Sequence, residues 1–360
     1  MKYVSFLKLL CFCVVCAFLA TSCVKEGPMG PAGADGEDGQ DGMNGVDGNV
    51  SCLACHNSDN IESIQGQFAM SGHYAGEAAV AYAGAQARCA PCHSHEQFVQ
   101  YAELGGVAGD ISSPSAWKCN TCHGLHETFE TTDYALRLNE PVVAQFDKST
   151  VLDMKGNSNL CANCHQTRTP SPVDEEQKAR DGSVIDEAGN GMFAITSTHY
   201  GPHHGPQSNL LAGVGFAEIQ GSVSYPSAGN SVHLKEEASC TGCHMGEFSN
   251  GGGGHSWHPS LDACNTCHET ADFNYRGRQT DVATKLTQLR EKLIEFGVVE
   301  GNEEEGFEPV VGTFPMVLAQ AYFNWIGLVE DRSLGVHNPH YTNALLINTL
   351  EALDAYQPAN

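Results

Sequence analysis

The chain has 360 residues, of which 43 are acidic and 18 are basic, so its formal net charge is −25. So acidic a surface repels nucleic-acid phosphates, which excludes nucleic acid as a partner and favours cationic ones. Aromatic residues make up only 8% of the chain, whereas glycines number 39. The polypeptide is therefore poor in apolar material for its length, and we expect bound apolar groups to complete its core.

Residues 1–22 have the form of a bacterial lipoprotein signal peptide. Lys2 and Lys8 precede an apolar run over residues 9–20, which is shorter than a membrane-spanning helix. The sequence Leu-Ala-Thr-Ser-Cys at 19–23 resembles a lipoprotein cleavage site, and that resemblance implies lipid on Cys23. Val24, which is not an aspartate, favours the outer membrane, facing the periplasm or the cell surface. Ordinary cleavage that leaves a free exported protein is the alternative.

Residues 23–50 are predicted to be a lipid-anchored spacer. Glycine recurs at every third position from Gly27 to Gly48, which is the Gly-X-Y pattern of a collagen triple helix. A homotrimer held by this collagen-like segment is one interpretation, and a flexible acidic linker in a monomer is the other. Either form separates a membrane anchor from the domain that follows.

Residues 51–270 contain six copies of Cys-x-x-Cys-His, numbered here first to sixth, beginning at residues 52, 89, 119, 161, 240 and 264. This spacing is typical of covalent haem c attachment, because thiols three residues apart lie on one helical turn and the next residue can ligate iron. We predict six haem c groups with their iron. The haem-binding cysteines are Cys52, Cys55, Cys89, Cys92, Cys119, Cys122, Cys161, Cys164, Cys240, Cys243, Cys264 and Cys267, and the proximal ligands are His56, His93, His123, His165, His244 and His268.

Two other uses of these cysteines are less consistent with the pattern. Zinc ribbons also contain paired Cys-x-x-Cys motifs, but they do not require a histidine directly after the second cysteine. A disulfide framework would need cysteines outside the motifs, and the four that remain, at 11, 13, 16 and 23, lie in or beside the leader.

Eleven of the 17 histidines lie outside the motifs, which is enough for a second axial ligand on every iron. His203 and His204 compete with His199 in one dense cluster. His126 lies three residues after His123 and cannot easily bind the same haem, so it is predicted to ligate a neighbouring one. The predicted distal ligands are His73, His126, His199, His233, His255 and His337.

Residues 271–360 are predicted to be a C-terminal helical segment that packs on the haem domain. Apolar residues recur at helical spacing in 282–296, and residues 315–329 and 342–356 are two further predicted helices. An acidic loop over 300–308 is predicted to separate the first two helices. The helices are expected to pack on each other and to cover the last haems.

The six motifs, the segment 199–207 and the stretch 331–339 resemble the bacterial multihaem c-type cytochromes. The stretch Asp-Arg-Ser-Leu-Gly-Val-His-Asn-Pro is similar to one in the ammonia-forming nitrite reductases, which implies that His337 is an axial ligand. Over residues 51–356 the resemblance implies a mainly α fold with extensive loop, little sheet and closely packed haems. Those reductases mark their active haem with Cys-x-x-Cys-Lys, which is absent here, so a nitrite-reducing centre is not expected.

The sequence leaves three hypotheses of function. The main one is an electron carrier in anaerobic respiration or extracellular electron transfer, with no catalytic residues and with other cytochromes, a terminal reductase or extracellular acceptors as partners. The second is a multihaem reductase of a small nitrogen or sulfur oxyanion at one five-coordinate haem. The third is a subunit of a haem filament, in which one iron is ligated across the interface.

Overall fold

The computed structural model describes residues 58–124, 136–172, 184–185 and 191–358. The chain divides into two units, Met1–Asn49 and Val50–Asn360. The signal peptide, the spacer with Cys23 and the first motif, with Cys52, Cys55 and His56, lie outside the described residues, and so does His126. What the sequence predicts for them stays a prediction.

The described part of the chain is mainly helical, which confirms the predicted fold class. Most helices before residue 278 are short. In chain order, the α-helices are Ser58–Ala69 (α1), Gly72–Ala75 (α2), Glu77–Ala83 (α3), Ala90–His93 (α4), His95–Leu104 (α5), Cys119–Cys122 (α6), Asn159–Ala162 (α7), Gln207–Ala212 (α8), Cys240–His244 (α9), Leu261–Asn265 (α10), Arg278–Glu295 (α11), Met316–Asp331 (α12) and Pro339–Ala355 (α13). Single 3₁₀ turns are found at Gly156–Ser158, Glu236–Ala238, Gly254–Ser256 and Tyr275–Gly277.

Short strands form three small antiparallel sheets within the described residues. The three-stranded sheet joins the middle of the chain to its C-terminal part, because Phe193 pairs with Phe314. The strands are Val142–Val143 (β1) with Val151–Leu152 (β2), Val184–Ile185 (β3) with Gly191–Ile195 (β4) and Gly312–Pro315 (β7), and Val299–Asn302 (β5) with Gly306–Pro309 (β6).

The larger hydrophobic core lies between α11, α12 and α13. On α11 it takes the predicted apolar face, with Leu286, Leu289 and Leu293 buried. Asn324 on α12 ties the loop before it to this core, since its amide accepts from Ala217 N at 2.9 Å and donates to Ala217 O at 2.8 Å. A buried amide with both groups satisfied stabilises the fold instead of costing free energy.

The prediction of an acidic loop over residues 300–308 is wrong. The segment forms the hairpin β5–β6, in which Val299 and its partner Pro309 are buried and the paired Glu300 and Glu308 are exposed. Arg290 of α11 covers it, with its guanidinium 4.3 Å from the Phe307 ring centroid and 2.9 Å from Glu303. Pairing of the two strands and contacts with Arg290 therefore stabilise a hairpin in a segment whose composition alone favours a loop.

Among the described residues, no helix is both long enough and apolar enough to cross a membrane.

Candidate haem sites

Each of the five described motifs forms or borders a single helical turn. The backbone N–H of the motif histidine donates to the carbonyl of the first motif cysteine at 3.0 Å for His123, 2.9 Å for His165 and 2.8 Å for His268. One hydrogen-bonded turn thus fixes two thiols and one imidazole in a small region. That is the local arrangement that thioether attachment and proximal ligation of one haem require.

The structure places a second histidine beside each of the five described motif histidines. The five pairs are named by motif number: site 2 is His93 with His203, site 3 is His123 with His255, site 4 is His165 with His73, site 5 is His244 with His337, and site 6 is His268 with His233. The ring centroids are 6.0 Å apart in sites 2 and 4, 6.4 Å in site 3, 6.3 Å in site 5 and 6.2 Å in site 6.

These distances fit two axial ligands on one iron. A metal–imidazole bond is about 2.0–2.1 Å long, so rings on opposite sides of one metal have centroids roughly 6.3 Å apart. Within the described ranges, no three side chains of His, Cys, Asp or Glu converge as a metal-binding group. Two axial imidazoles leave the equatorial positions to a porphyrin, so the donor set fits a haem iron.

The pairs fall into two geometric classes. The ring planes are nearly perpendicular in site 2 (77°), site 4 (79°) and site 6 (87°). They are only tilted in site 3 (36°) and site 5 (38°). The relative orientation of two axial imidazoles controls how they split the iron d orbitals, so the classes are expected to differ spectroscopically.

Hydrogen bonds at Nδ1 leave Nε2 available to the iron. Nδ1 of His165 lies 3.1 Å from Gln207 Oε1, and Nδ1 of His244 lies 2.8 Å from the carbonyl oxygen of Trp257. His233 Nδ1 is 2.6 Å from the Val336 carbonyl oxygen, and His337 Nδ1 is 2.6 Å from Asp331 Oδ1. Since these partners accept, each imidazole donates from Nδ1, which orients the ring and fixes the tautomer that binds metal.

Burial keeps most of these imidazoles neutral, which is the form that binds a metal. It lowers the pKa of His73 and that of His203 to about 4 each. Burial also acts to lower the pKa of His337, but the carboxylate of Asp331 outweighs it and raises that pKa above the ordinary value. Site 5 therefore contains the one distal histidine of the five whose partner is a buried anion.

The structure places His203, and not the predicted His199, beside His93. His199 is exposed, and its Nδ1 lies 3.2 Å from Thr198 Oγ1. His203 has a φ of 79°, a left-handed conformation that non-glycine residues seldom adopt, and glycines flank its segment at 201 and 205. The third histidine of the cluster, His204, forms an ion pair with Glu330 at 3.0 Å.

The other predicted distal ligands that the structure describes, His73, His233, His255 and His337, all lie in pairs. The sequence did not indicate which motif histidine each of them pairs with. His233 and His255 each pair with a motif other than the next one along the chain.

The fourth motif lies at the centre of the described motifs. Cys92 Sγ of the second motif donates to the carbonyl oxygen of Asn163 in the fourth at 3.5 Å, and Ser158 Oγ, three residues before the fourth motif, lies 2.9 Å from Thr241 Oγ1 of the fifth. Cys122 of the third motif is near both cysteines of the fourth. At the periphery, Cys243 of the fifth motif is near the cysteines of the sixth. Contacts thus run from site 2 through sites 4 and 5 to site 6, with site 3 beside site 4.

A cavity of about 740 Å³ lies beside site 6, lined by residues between Cys267 and Gly277. The cavity is open to solvent, and its lining is mostly polar. The Tyr275 ring lies 4.5 Å from that of His268, and the guanidinium of Arg276 lies 4.9 Å from the Tyr275 ring. An aromatic wall with a nearby cation suits a flat apolar group that carries propionates.

Comparison with known proteins gives one structural likeness. No protein-family model matches the chain, and no curated protein matches it. The crystal structure of the outer cell wall cytochrome OcwA is similar over 81% of this chain, with 19% sequence identity and a TM-score of 0.48. The chain spans about half of that cytochrome, 50% of its length. Because the likeness is this distant, it carries no argument about function, and the histidine pairs carry the argument.

Proposed function

We propose that this chain is a multihaem c-type cytochrome that transfers electrons outside the cytoplasm. The observation that carries the proposal is the 6.0–6.4 Å spacing of the five histidine pairs, each of which contains one motif histidine. Each haem would supply one-electron redox chemistry. The cysteines of the chain would hold the group covalently, and its histidines would close both axial positions.

Two axial histidines make a site that carries electrons and does not bind substrate. An iron with both positions closed by protein can take up a small molecule only by losing a ligand. The fixed Nδ1 hydrogen bonds of sites 4, 5 and 6 oppose that loss, because each holds at least one ring of its pair in place. Because the five described sites each have two histidines, a reductase centre would be sought first at the haem of the first motif.

The first motif completes the proposed set of six haems. Its proximal ligand is His56, and two of the predicted distal ligands remain for it or for a neighbouring haem. These are His126, which lies outside the described residues, and His199, which is exposed.

The location and partners of the protein are also part of the proposal. Lipid on Cys23 and the glycine-repeat spacer would hold the haem domain at the outer membrane. Its acidic surface suits cationic redox partners, because opposite charges steer encounter. Donors and acceptors would be other cytochromes, a terminal reductase or extracellular acceptors.

Mass spectrometry of the exported protein tests the cofactor content. The proposal predicts six covalently added haem masses and a cleaved, lipid-modified N-terminus. A chain with no added haem would contradict the proposed function. A haem-loaded chain without lipid would contradict only the location.

A further inference from the structure

Trp257 contacts histidines of three different sites. Its ring centroid lies 4.9 Å from that of His73 in site 4 and 5.5 Å from that of His255 in site 3, with interplanar angles of 87° and 77°. Its main-chain carbonyl oxygen lies 2.8 Å from Nδ1 of His244 in site 5. One residue thus contacts a proposed iron ligand in sites 3, 4 and 5.

The loop around Trp257 holds the indole in a fixed position. Trp257 follows the 3₁₀ turn Gly254–Ser256 with a φ of 53°, a left-handed conformation that non-glycine residues seldom adopt. Buried Ser256 donates to the Gly253 carbonyl at 2.7 Å, and the ring of Phe68 on α1 lies 5.7 Å from the indole. These contacts hold the backbone of Trp257 in an unfavourable conformation. Such conformations are common at functional positions.

The same three motifs lie together in the fold. Thr241 N of the fifth motif donates to Ser158 Oγ, three residues before the fourth motif, at 3.0 Å, and Cys122 of the third is near both cysteines of the fourth. Trp257 therefore lies where three sites converge. In the part of the chain that the structure describes, its ring and hydrogen-bond contacts with histidines are confined to sites 3, 4 and 5.

We propose that Trp257 is a positioning residue that sets the ligand geometry of sites 3, 4 and 5 at a junction of the electron path. This inference rests on the proposed function. An edge-to-face contact limits rotation of the His73 and His255 rings. The carbonyl of Trp257 limits rotation of His244 through its Nδ1 hydrogen bond. The residue thereby couples three sites that belong to different segments of the chain.

Substitutions at Trp257 separate this role from a general packing role. Trp257→Ala removes both ring contacts, and we expect the low-spin electron paramagnetic resonance (EPR) signals and the midpoint potentials of sites 3 and 4 to shift, with a smaller shift at site 5. Sites 2 and 6 serve as internal controls and should not change. The signals are assigned beforehand from single substitutions of the distal histidines.

Trp117→Ala is the matched control, because the Trp117 ring contacts His73 at 5.5 Å and should affect site 4 alone. Trp257→Phe keeps one aromatic ring of smaller reach, so it should disturb sites 3 and 4 less than alanine does. It also covers the case in which the alanine variant does not fold.

Several results would overturn the inference. They are a Trp257→Ala spectrum that matches wild type, one that matches Trp117→Ala, or equal shifts at all five sites. A Trp257→Phe spectrum identical to wild type, together with an unfolded alanine variant, would also do so. Failure of the proposed function is recognised separately, because the wild-type protein itself would then lack low-spin haem signals.

Discussion

At the scale of single residues, the structure selects one of three clustered histidines as the proposed second ligand of site 2. His203 lies beside His93, whereas His199 is exposed four residues earlier. We expect His203→Ala to open one axial position and convert one low-spin haem to high-spin. His199→Ala is the matched control and should leave the five described sites unchanged. EPR of the oxidised variants measures both, and a high-spin signal in the His199 variant alone would reverse the assignment.

Asp331 is expected to lower the midpoint potential of site 5. Its carboxylate is almost fully buried and accepts the Nδ1 proton of His337, so the imidazole would be a stronger donor to a haem iron and would stabilise its ferric form. We expect Asp331→Asn to raise the site 5 potential by about 60 mV, which corresponds to a tenfold change in relative affinity for a one-electron couple.

Redox titration followed by EPR measures the Asp331 effect, with Asp354→Asn as the control. Asp354 forms an exposed ion pair with Lys292 far along α13, so this substitution changes charge without touching a histidine. An unchanged potential in Asp331→Asn, or an equal shift in the control, would contradict the expected role of the hydrogen bond.

The sequence predicts the proximal half of each site but only part of the distal half. Cys-x-x-Cys-His is a local pattern, because one helical turn brings its three functional side chains together. The contact of His73 with His165 depends on the packing of segments far apart in the sequence. The left-handed backbone of His203 likewise has no local sequence signal that separates it from His199.

At the scale of secondary-structure elements, the buried face of α11 supports the C-terminal core. Leu289 is fully buried there, whereas neighbouring Gln288 is exposed. We expect Leu289→Ala to lower the free energy of unfolding by about 2–5 kcal/mol, because it removes apolar burial and leaves a cavity.

Denaturant unfolding of the haem-loaded protein measures this loss, with Gln288→Ala as the control on the same helix. The control should change stability by less than about 0.5 kcal/mol, since exposed substitutions away from special features have small effects. Similar losses in both variants would show that helix formation, and not burial, accounts for the effect.

The C-terminal helices could be predicted because their signal is periodic. The apolar spacing in 282–296 corresponds to α11, and residues 315–329 and 342–356 correspond to α12 and α13. The hairpin β5–β6 could not be predicted in this way. Its acidic composition favours a loop, and the contact with Arg290 that covers it comes from another element.

At the scale of the whole molecule, site 4 is central and site 6 is peripheral among the five described sites. The fourth motif contacts the second through Asn163 and the fifth through the preceding Ser158, whereas the cysteines of the sixth are near Cys243 of the fifth. We therefore expect His165→Ala to lower the melting temperature and shift the signals of several sites. His268→Ala should alter site 6 with little effect on the others.

Calorimetry and EPR of these two variants measure the difference. The comparison is matched, because each variant removes one motif histidine and leaves both cysteines for attachment. Equal destabilisation by the two substitutions would contradict a central position for site 4.

The central claim is that two histidines close the iron in each described site. Quantitative EPR of the oxidised, haem-loaded wild-type protein tests it most directly. We predict low-spin signals of two classes for the five described sites. Sites 2, 4 and 6, with nearly perpendicular rings, should give three highly anisotropic signals, and sites 3 and 5, with tilted rings, should give two rhombic signals. High-spin intensity that accounts for more than one haem would contradict the claim.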